Sequence, residues 1–260
     1  MARRVRLDQL LVQRALAPSR ERAQALILGG AVRVDGARIS RSADTVSDEA
    51  SITLDAGPRF VSRGGEKLDA ALAELGLDVS GRVALDIGSS TGGFTDCLLQ
   101  RGAARVYAVD VGKGQLEWKL RNDPRVVVME GVNAREGTDV PEPVDLIVAD
   151  VSFISLRLAL PPSLVHLREG GDVVALVKPQ FEAGRDAVGR GGIVREKEPR
   201  VEAVIAVADR LAEAGVPVVA VVPSRVPGRE GNLEIFVHAV RGVRALAADE
   251  LRAAAEASAG

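Results

Sequence analysis

The sequence predicts an α/β protein: a Rossmann-like, mainly parallel sheet covered by helices, behind a small α+β domain. Three observations carry this. From Val83 onward, apolar runs of strand length alternate with amphipathic stretches, the rhythm of parallel strands joined by helices. Ahead of them, two short amphipathic patterns lead into a Val-containing segment broken by Asp35-Gly36, a tight-turn pair. Charge divides in the same region: up to Ser42 there are nine arginines against three acids, a net of +6, so a chain of net charge -2 carries -8 in its remainder. That asymmetry points to a polyanion-binding module joined to a different kind of domain, with a solvated basic face as the plainer alternative.

In chain order, Leu7, Leu10 and Leu11 mark one helix and Ala23, Leu26 and Ile27 a second. Ser19 is the expected N-cap of the second helix, and Gly29-Gly30 its end. AVRVDGARI then reads as a hairpin. This string, RLDQLLVQRALAPSRERAQALILGGAVRVDG, resembles the small RNA-binding domain named from ribosomal protein S-four, with a domain over residues 1–58. The resemblance implies RNA contacts from Arg4, Arg6, Arg20, Arg22, Arg33 and Arg38, whose guanidinium forks suit phosphate oxygens. No aromatic residue stands in this stretch, which favours recognition of shape and phosphate over base stacking. Residues 59–66, with Gly64 and Gly65 after Gly57-Pro58, read as an interdomain hinge.

The larger domain presents VALDIG, VYAVDVG, VVVME, VDLIVADVSF, DVVALVK, VPVVAVVP and EIFVHAV as successive strands. Ligands in such sheets bind at the carboxyl ends of the strands. The first of these turns is LDIGSSTGGF, and its glycines 88, 92 and 93 permit a tight turn and close approach of backbone to ligand. The spacing departs from the dinucleotide Gly-x-Gly-x-x-Gly pattern. Asp86 ahead of the loop would oppose a pyrophosphate but suits the cationic S-adenosylmethionine. Asp110, ending the next strand, can accept hydrogen bonds from ribose hydroxyls. The loop favours a methyltransferase over a nicotinamide enzyme; a plain βα turn is the remaining alternative.

Asp150 and Lys178 end two further strands, and Glu234 begins the last. In the S-adenosylmethionine-dependent methyltransferase form of this sheet the last strand is antiparallel beside the fifth. With neighbouring strands about 4.8 Å apart, the three would then form a row at one edge. SRGGEKL, DIGSSTGGFTD, VDVGKGQL, LRNDPRV, ADVSFISL, LVKPQFE and GNLEIF resemble the TlyA family of ribosomal RNA 2′-O-methyltransferases, whose catalytic domain is of the FtsJ type. The resemblance covers nearly the whole chain, with a catalytic domain at 67–243 and an Ala-rich tail at 244–260. It implies a tetrad of Lys67, Asp150, Lys178 and Glu234, S-adenosylmethionine as cofactor, and cytidine in ribosomal RNA as target. Candidate cofactor residues are Asp86, Gly88, Ser89, Ser90, Thr91, Gly92, Gly93, Phe94, Asp110 and Asn133, with packing as the plainer role for Phe94.

A ribose hydroxyl is a weak nucleophile, so Lys178 is the expected base, made competent by desolvation or by the nearby cation of Lys67, while Asp150 and Glu234 favour its charged form; the alternative is a Lys178 that stays charged and steers the hydroxyl. The single Cys97, the lack of any Cys/His cluster and the lack of a long apolar run lead us to expect a cytosolic, metal-free, unexported protein, although the TlyA family is also labelled haemolysin. Two other classes fit less well: a methyltransferase of small molecules or proteins with a tethering domain, and a non-enzymatic RNA-binding or assembly protein with a relict pocket.

Overall fold

The computed structural model describes residues 3–55, 57–228 and 231–260. It comprises two compact units, one through Arg59 and one spanning Phe60–Gly260.

The first unit contains β1 (Arg4–Arg6), α1 (Leu7–Gln13), α2 (Arg20–Leu28), β2 (Val32–Val34), β3 (Ala37–Ile39), β4 (Thr45–Ser47) and β5 (Ile52–Leu54). Ser19 caps α2 by accepting from the Arg22 amide at 3.2 Å. Asp35 and Gly36 both have positive φ, so the hairpin β2–β3 turns where the Asp-Gly pair stands. Strands β4 and β5 were not anticipated: three residues each are too few to show an alternating pattern, yet β5 pairs with β2 and β4 with β1. Leu7, Leu10, Leu11, Ala23 and Ile27 are buried together, as the helical spacing predicts.

In the second unit, α3 (Arg63–Glu74) precedes β6 (Val83–Ile87), α4 (Gly93–Gln100), β7 (Arg105–Asp110), α5 (Trp118–Arg121), β8 (Val126–Glu130) and β9 (Val144–Ala149). Then come α6 (Leu156–Ala159), β10 (Leu167–Val177), α7 (Pro179–Glu182), α8 (Lys197–Glu213), β11 (Val218–Pro223), β12 (Ile235–Val240) and α9 (Ala248–Ser258). Seven strands form one sheet in the order β11-β12-β10-β9-β6-β7-β8. The strands from β10 to β8 are parallel, and β12 runs antiparallel between β10 and β11. The expected methyltransferase sheet is therefore present. Its two faces bury separate apolar clusters, Leu85 and Ile87 pointing one way and Ala84 the other. The same alternation puts Asp86 on the face covered by α3 and α4, where its side chain meets Thr95 of α4.

The helix α3 begins at Arg63, inside the segment read as a hinge. Gly65 serves close packing there: a Cβ on it would strike the Phe60 side chain and lie 2.9 Å from the Gly93 carbonyl oxygen. The Ala-rich tail forms α9, with Ala255 and Ala259 buried against the core. Among the described residues, no helix is long and apolar enough to cross a membrane.

Candidate active site

At the carboxyl ends of β6, β7, β9 and β10 the second unit opens into a cavity of about 820 Å³. Lys67, Asp150, Lys178 and Glu234 all line it. Lys67 comes from the second turn of α3, Asp150 and Lys178 directly follow β9 and β10, and Glu234 directly precedes β12. The register Val177↔Ile235 sets Lys178 and Glu234 at one end of adjacent strands. The four divide into two ion pairs. Lys67 Nζ donates to Glu234 Oε2 at 2.5 Å, with both side chains under a tenth exposed. Lys178 Nζ lies 2.6 Å from Asp150 Oδ1, off the axis of a hydrogen bond, and donates to Ser152 Oγ at 2.9 Å. Lys67, expected to supply a cation near Lys178, has its own carboxylate, which offsets its field at the amine.

The glycine loop forms the opposite wall. Gly88 has φ +84°, and a Cβ there would sit 2.7 Å from the Asp150 backbone oxygen, so the β6 and β9 ends touch through a position only glycine can fill. Asp110 holds the loop down: its Oδ2 accepts from the Ser90 amide at 2.8 Å and its Oδ1 from the Gly112 amide at 2.7 Å. Each oxygen keeps a lone pair for a further donor. Gly88, Ser89, Ser90, Thr91, Gly93, Phe94, Asp110 and Asn133 line the cavity. Asn133 also caps a short 3-10 turn through the Arg135 amide. Phe94 does both things considered for it, bordering the cavity and stacking on Phe236 with centroids 6.1 Å apart.

Two predicted cofactor residues stand back from the cavity. Gly92, with φ +95°, faces Leu116 and Leu120, and its lack of a side chain serves packing. Asp86 is fully buried beneath the loop, with Oδ2 accepting from Thr95 Oγ1 at 2.6 Å and Oδ1 without a hydrogen-bond partner among the described residues. Burial, with Asp150 and Asp110 adding repulsion, pushes its carboxyl up to about 7. Sequence reasoning passed over Ser62, Arg63, Gln180 and Phe181, which also line the cavity. For the last two the signal was present, since PQF directly follows Lys178. Phe153, at φ +64° and 92% exposed, stands at the cavity with its ring 5.3 Å from that of Phe181.

Of the six predicted RNA-contacting arginines in the first unit, most already have partners. Buried Asp8 accepts from Arg6 and, at 2.9 Å, from Arg20. Asp55 pairs with both Arg33 and Arg38. Arg4 donates to Thr45. No side-chain partner of Arg22 is found among the described residues.

Residues 60–241 match the FtsJ-like methyltransferase family model. The chain belongs to the FtsJ-like methyltransferase family. Residues 5–52 match the S4 domain. A Mycobacterium tuberculosis protein named 16S/23S rRNA (cytidine-2′-O)-methyltransferase TlyA is 51% identical over 243 residues, 91% of this chain and 90% of that one. Hemolysin A of Brachyspira hyodysenteriae is 40% identical over 240 residues, 90% of this chain and 99% of that one. A solved Streptococcus thermophilus structure, titled as a hemolysin, superposes with a TM-score of 0.73 at 38% identity, covering 99% of this chain and 96% of that one.

Proposed function

We propose that the protein is an S-adenosylmethionine-dependent 2′-O-methyltransferase of cytidine in ribosomal RNA. The observation that carries this reading is the pair of ion pairs, Lys67–Glu234 and Lys178–Asp150, on one wall of a cavity whose other wall is the glycine loop. The relative named for that activity, at 51% identity over nine-tenths of the chain, supports it.

The residues present suit the cofactor. Asp86, Asp110 and Asp150 converge on the strand ends, Asp86 with an unpartnered buried oxygen, and a ligand bearing ammonium and sulfonium charges would relieve their mutual repulsion. Gly88 and its loop line the cavity, and Asp110 has lone pairs for ribose hydroxyls. When bound, S-adenosylmethionine supplies an electrophilic methyl group. The protein's part is to align the ribose hydroxyl and manage its proton. We assign Lys178 to the proton: Asp150 and Ser152 fix its amine against the wall. The Lys67–Glu234 pair, nearly dry, ties α3 to the start of β12 on that same wall. Phe153 offers an exposed ring on which a base can stack. This reading also makes the protein a cytosolic one that acts on ribosomal RNA or ribosomal subunits.

Single-turnover methylation of unmodified ribosomal subunits, with saturating cofactor, tests the assignment. Lys178→Ala should slow transfer by about a hundredfold or more, the usual span for a proton-handling group. Lys178→Arg should be equally slow, because a guanidinium keeps its proton. Substantial activity in the arginine variant would reassign Lys178 to electrostatic steering. Near-normal activity in the alanine variant would remove this cavity as the catalytic centre.

A further inference from the structure

Glu182 lies outside the cavity just described, yet its carboxylate reaches one of the cavity's walls from behind. It ends α7, one turn beyond Lys178, and its side chain is 1% exposed. Oε1 accepts from the Leu156 amide at 2.6 Å. Oε2 accepts from the Ser155 hydroxyl and from Arg157 Nε at 3.3 Å. Arg157 also donates to the Glu182 carbonyl at 3.1 Å, and its Nε and amide to Ser155 Oγ. Burial raises the proton affinity of Glu182 while these donors oppose it. Such a buried charge is costly, and a purely packing role would be served as well by an apolar side chain.

The bonds made by Glu182 join α7 to Ser155 and the start of α6, where the turn from β9 ends. That turn carries Ser152, which receives the Lys178 amine, and Phe153, whose φ of +64° is unfavourable for a bulky side chain. A conformation of this kind is strained and persists only where the surroundings over-determine it. At its near end the turn is held by the Asp150 amide, which donates to the Ile87 carbonyl at 3.0 Å. At its far end it is held by Glu182. Lys178 and Glu182 therefore grip the two ends of one four-residue arc, at Ser152 and Ser155, with Phe153 between them.

We propose that Glu182 is a positioning residue, whose buried carboxylate fixes the arc so that Ser152 and Phe153 meet the target nucleotide beside Lys178. This rests on the RNA-methyltransferase reading above. Glu182 touches neither substrate nor cofactor and acts through Phe153 and Ser152.

The test is a double-mutant cycle on the full chain with unmodified ribosomal subunits as substrate, read by single-turnover rate, cofactor affinity and thermal midpoint. Glu182→Ala should slow transfer by about tenfold or more while cofactor affinity stays within about twofold. Phe153→Ala should also be slow, and the double variant no more than about twofold slower than the slower single one, because the carboxylate acts through that ring. Glu182→Gln keeps an oxygen for the Leu156 amide but loses the charge opposite Arg157, so it should fall between wild type and Glu182→Ala. If Glu182→Ala does not fold, the same cycle with Glu182→Gln decides. Rates that multiply in the double variant, or wild-type speed in Glu182→Gln and Glu182→Ala, would overturn the proposal. Failure of the wild-type protein itself to methylate subunits would remove the functional reading and the inference with it; normal wild-type turnover with undiminished Glu182 variants would remove the inference alone.

Discussion

Asp86 has one carboxylate oxygen bonded to Thr95 and the other unpartnered in full burial, and its proton affinity is raised to about 7 from an ordinary 3.8. The sign of the consequence follows from linkage. The folded state holds this proton more tightly than the unfolded chain, so the stability that the group contributes is complete below the ordinary value and is lost as pH rises through about 7. A cationic ligand in the cavity above has the opposite preference, for the ionised carboxylate. Cofactor binding should therefore tighten as pH rises from about 5.5 to 7.5 and should release a proton. Calorimetry in buffers of different ionisation enthalpy would measure both. Asp86→Asn, isosteric and neutral at every pH, should bind more weakly and show no such slope. A slope that survives in this variant would assign the titration to another group. This residue was picked out in the sequence by its place before the glycine loop, but its depth was not: a strand's alternation tells which face a residue takes, and only the packed helices α3 and α4 show that this face is closed.

Among elements, α3 shows most clearly what a sequence conceals. Gly64-Gly65 after Gly57-Pro58 reads as a hinge because glycine is costly in a helix by about 1 kcal/mol relative to alanine. The structure places both in the helix's first turn, where Gly65 and Gly93 let α3 and α4 approach to backbone contact. The penalty is offset by burial of Leu68 and Leu72, one and two turns further along the same face. Propensity is local, whereas the reason for these glycines lies nearly thirty residues away in α4. The strand sequence and the row of Asp150, Lys178 and Glu234 were legible because a buried parallel strand is written continuously as an apolar run. The division of the tetrad into two pairs was not, since side-chain reach from α3 is invisible without the packing angle. If close approach is the reason for glycine, Gly65→Ala should destabilise the second unit by about 1–3 kcal/mol, the usual range for overpacking, despite the better helix former. Denaturant titration would measure it. A gain in stability would restore the hinge reading.

For the molecule as a whole, the basic first forty-two residues and the acidic remainder nearly cancel, leaving -2. At physiological salt the Debye length is about 8 Å, so an RNA backbone responds to the local field of whichever surface it meets rather than to the net charge. The number of arginines then overstates the charge on offer. Asp8 holds Arg6 and Arg20, and Asp55 holds Arg33 and Arg38, so four of the six predicted contacts are partly neutralised, while Arg22 has no such partner among the described residues. Salt titration separates these classes. Arg22→Ala should weaken RNA binding and reduce the slope of log affinity against log salt by about one, the loss of one phosphate contact. Asp55→Ala should act in the opposite direction, because releasing Arg33 and Arg38 from their shared carboxylate frees both guanidinium groups for phosphate and steepens the slope. Neither substitution lies in the second unit, so the single-turnover rate at saturating RNA should be unchanged in both. Binding and slope that stay the same in both variants would show the basic face to be a solvated surface, and would move the recognition of RNA to the second unit.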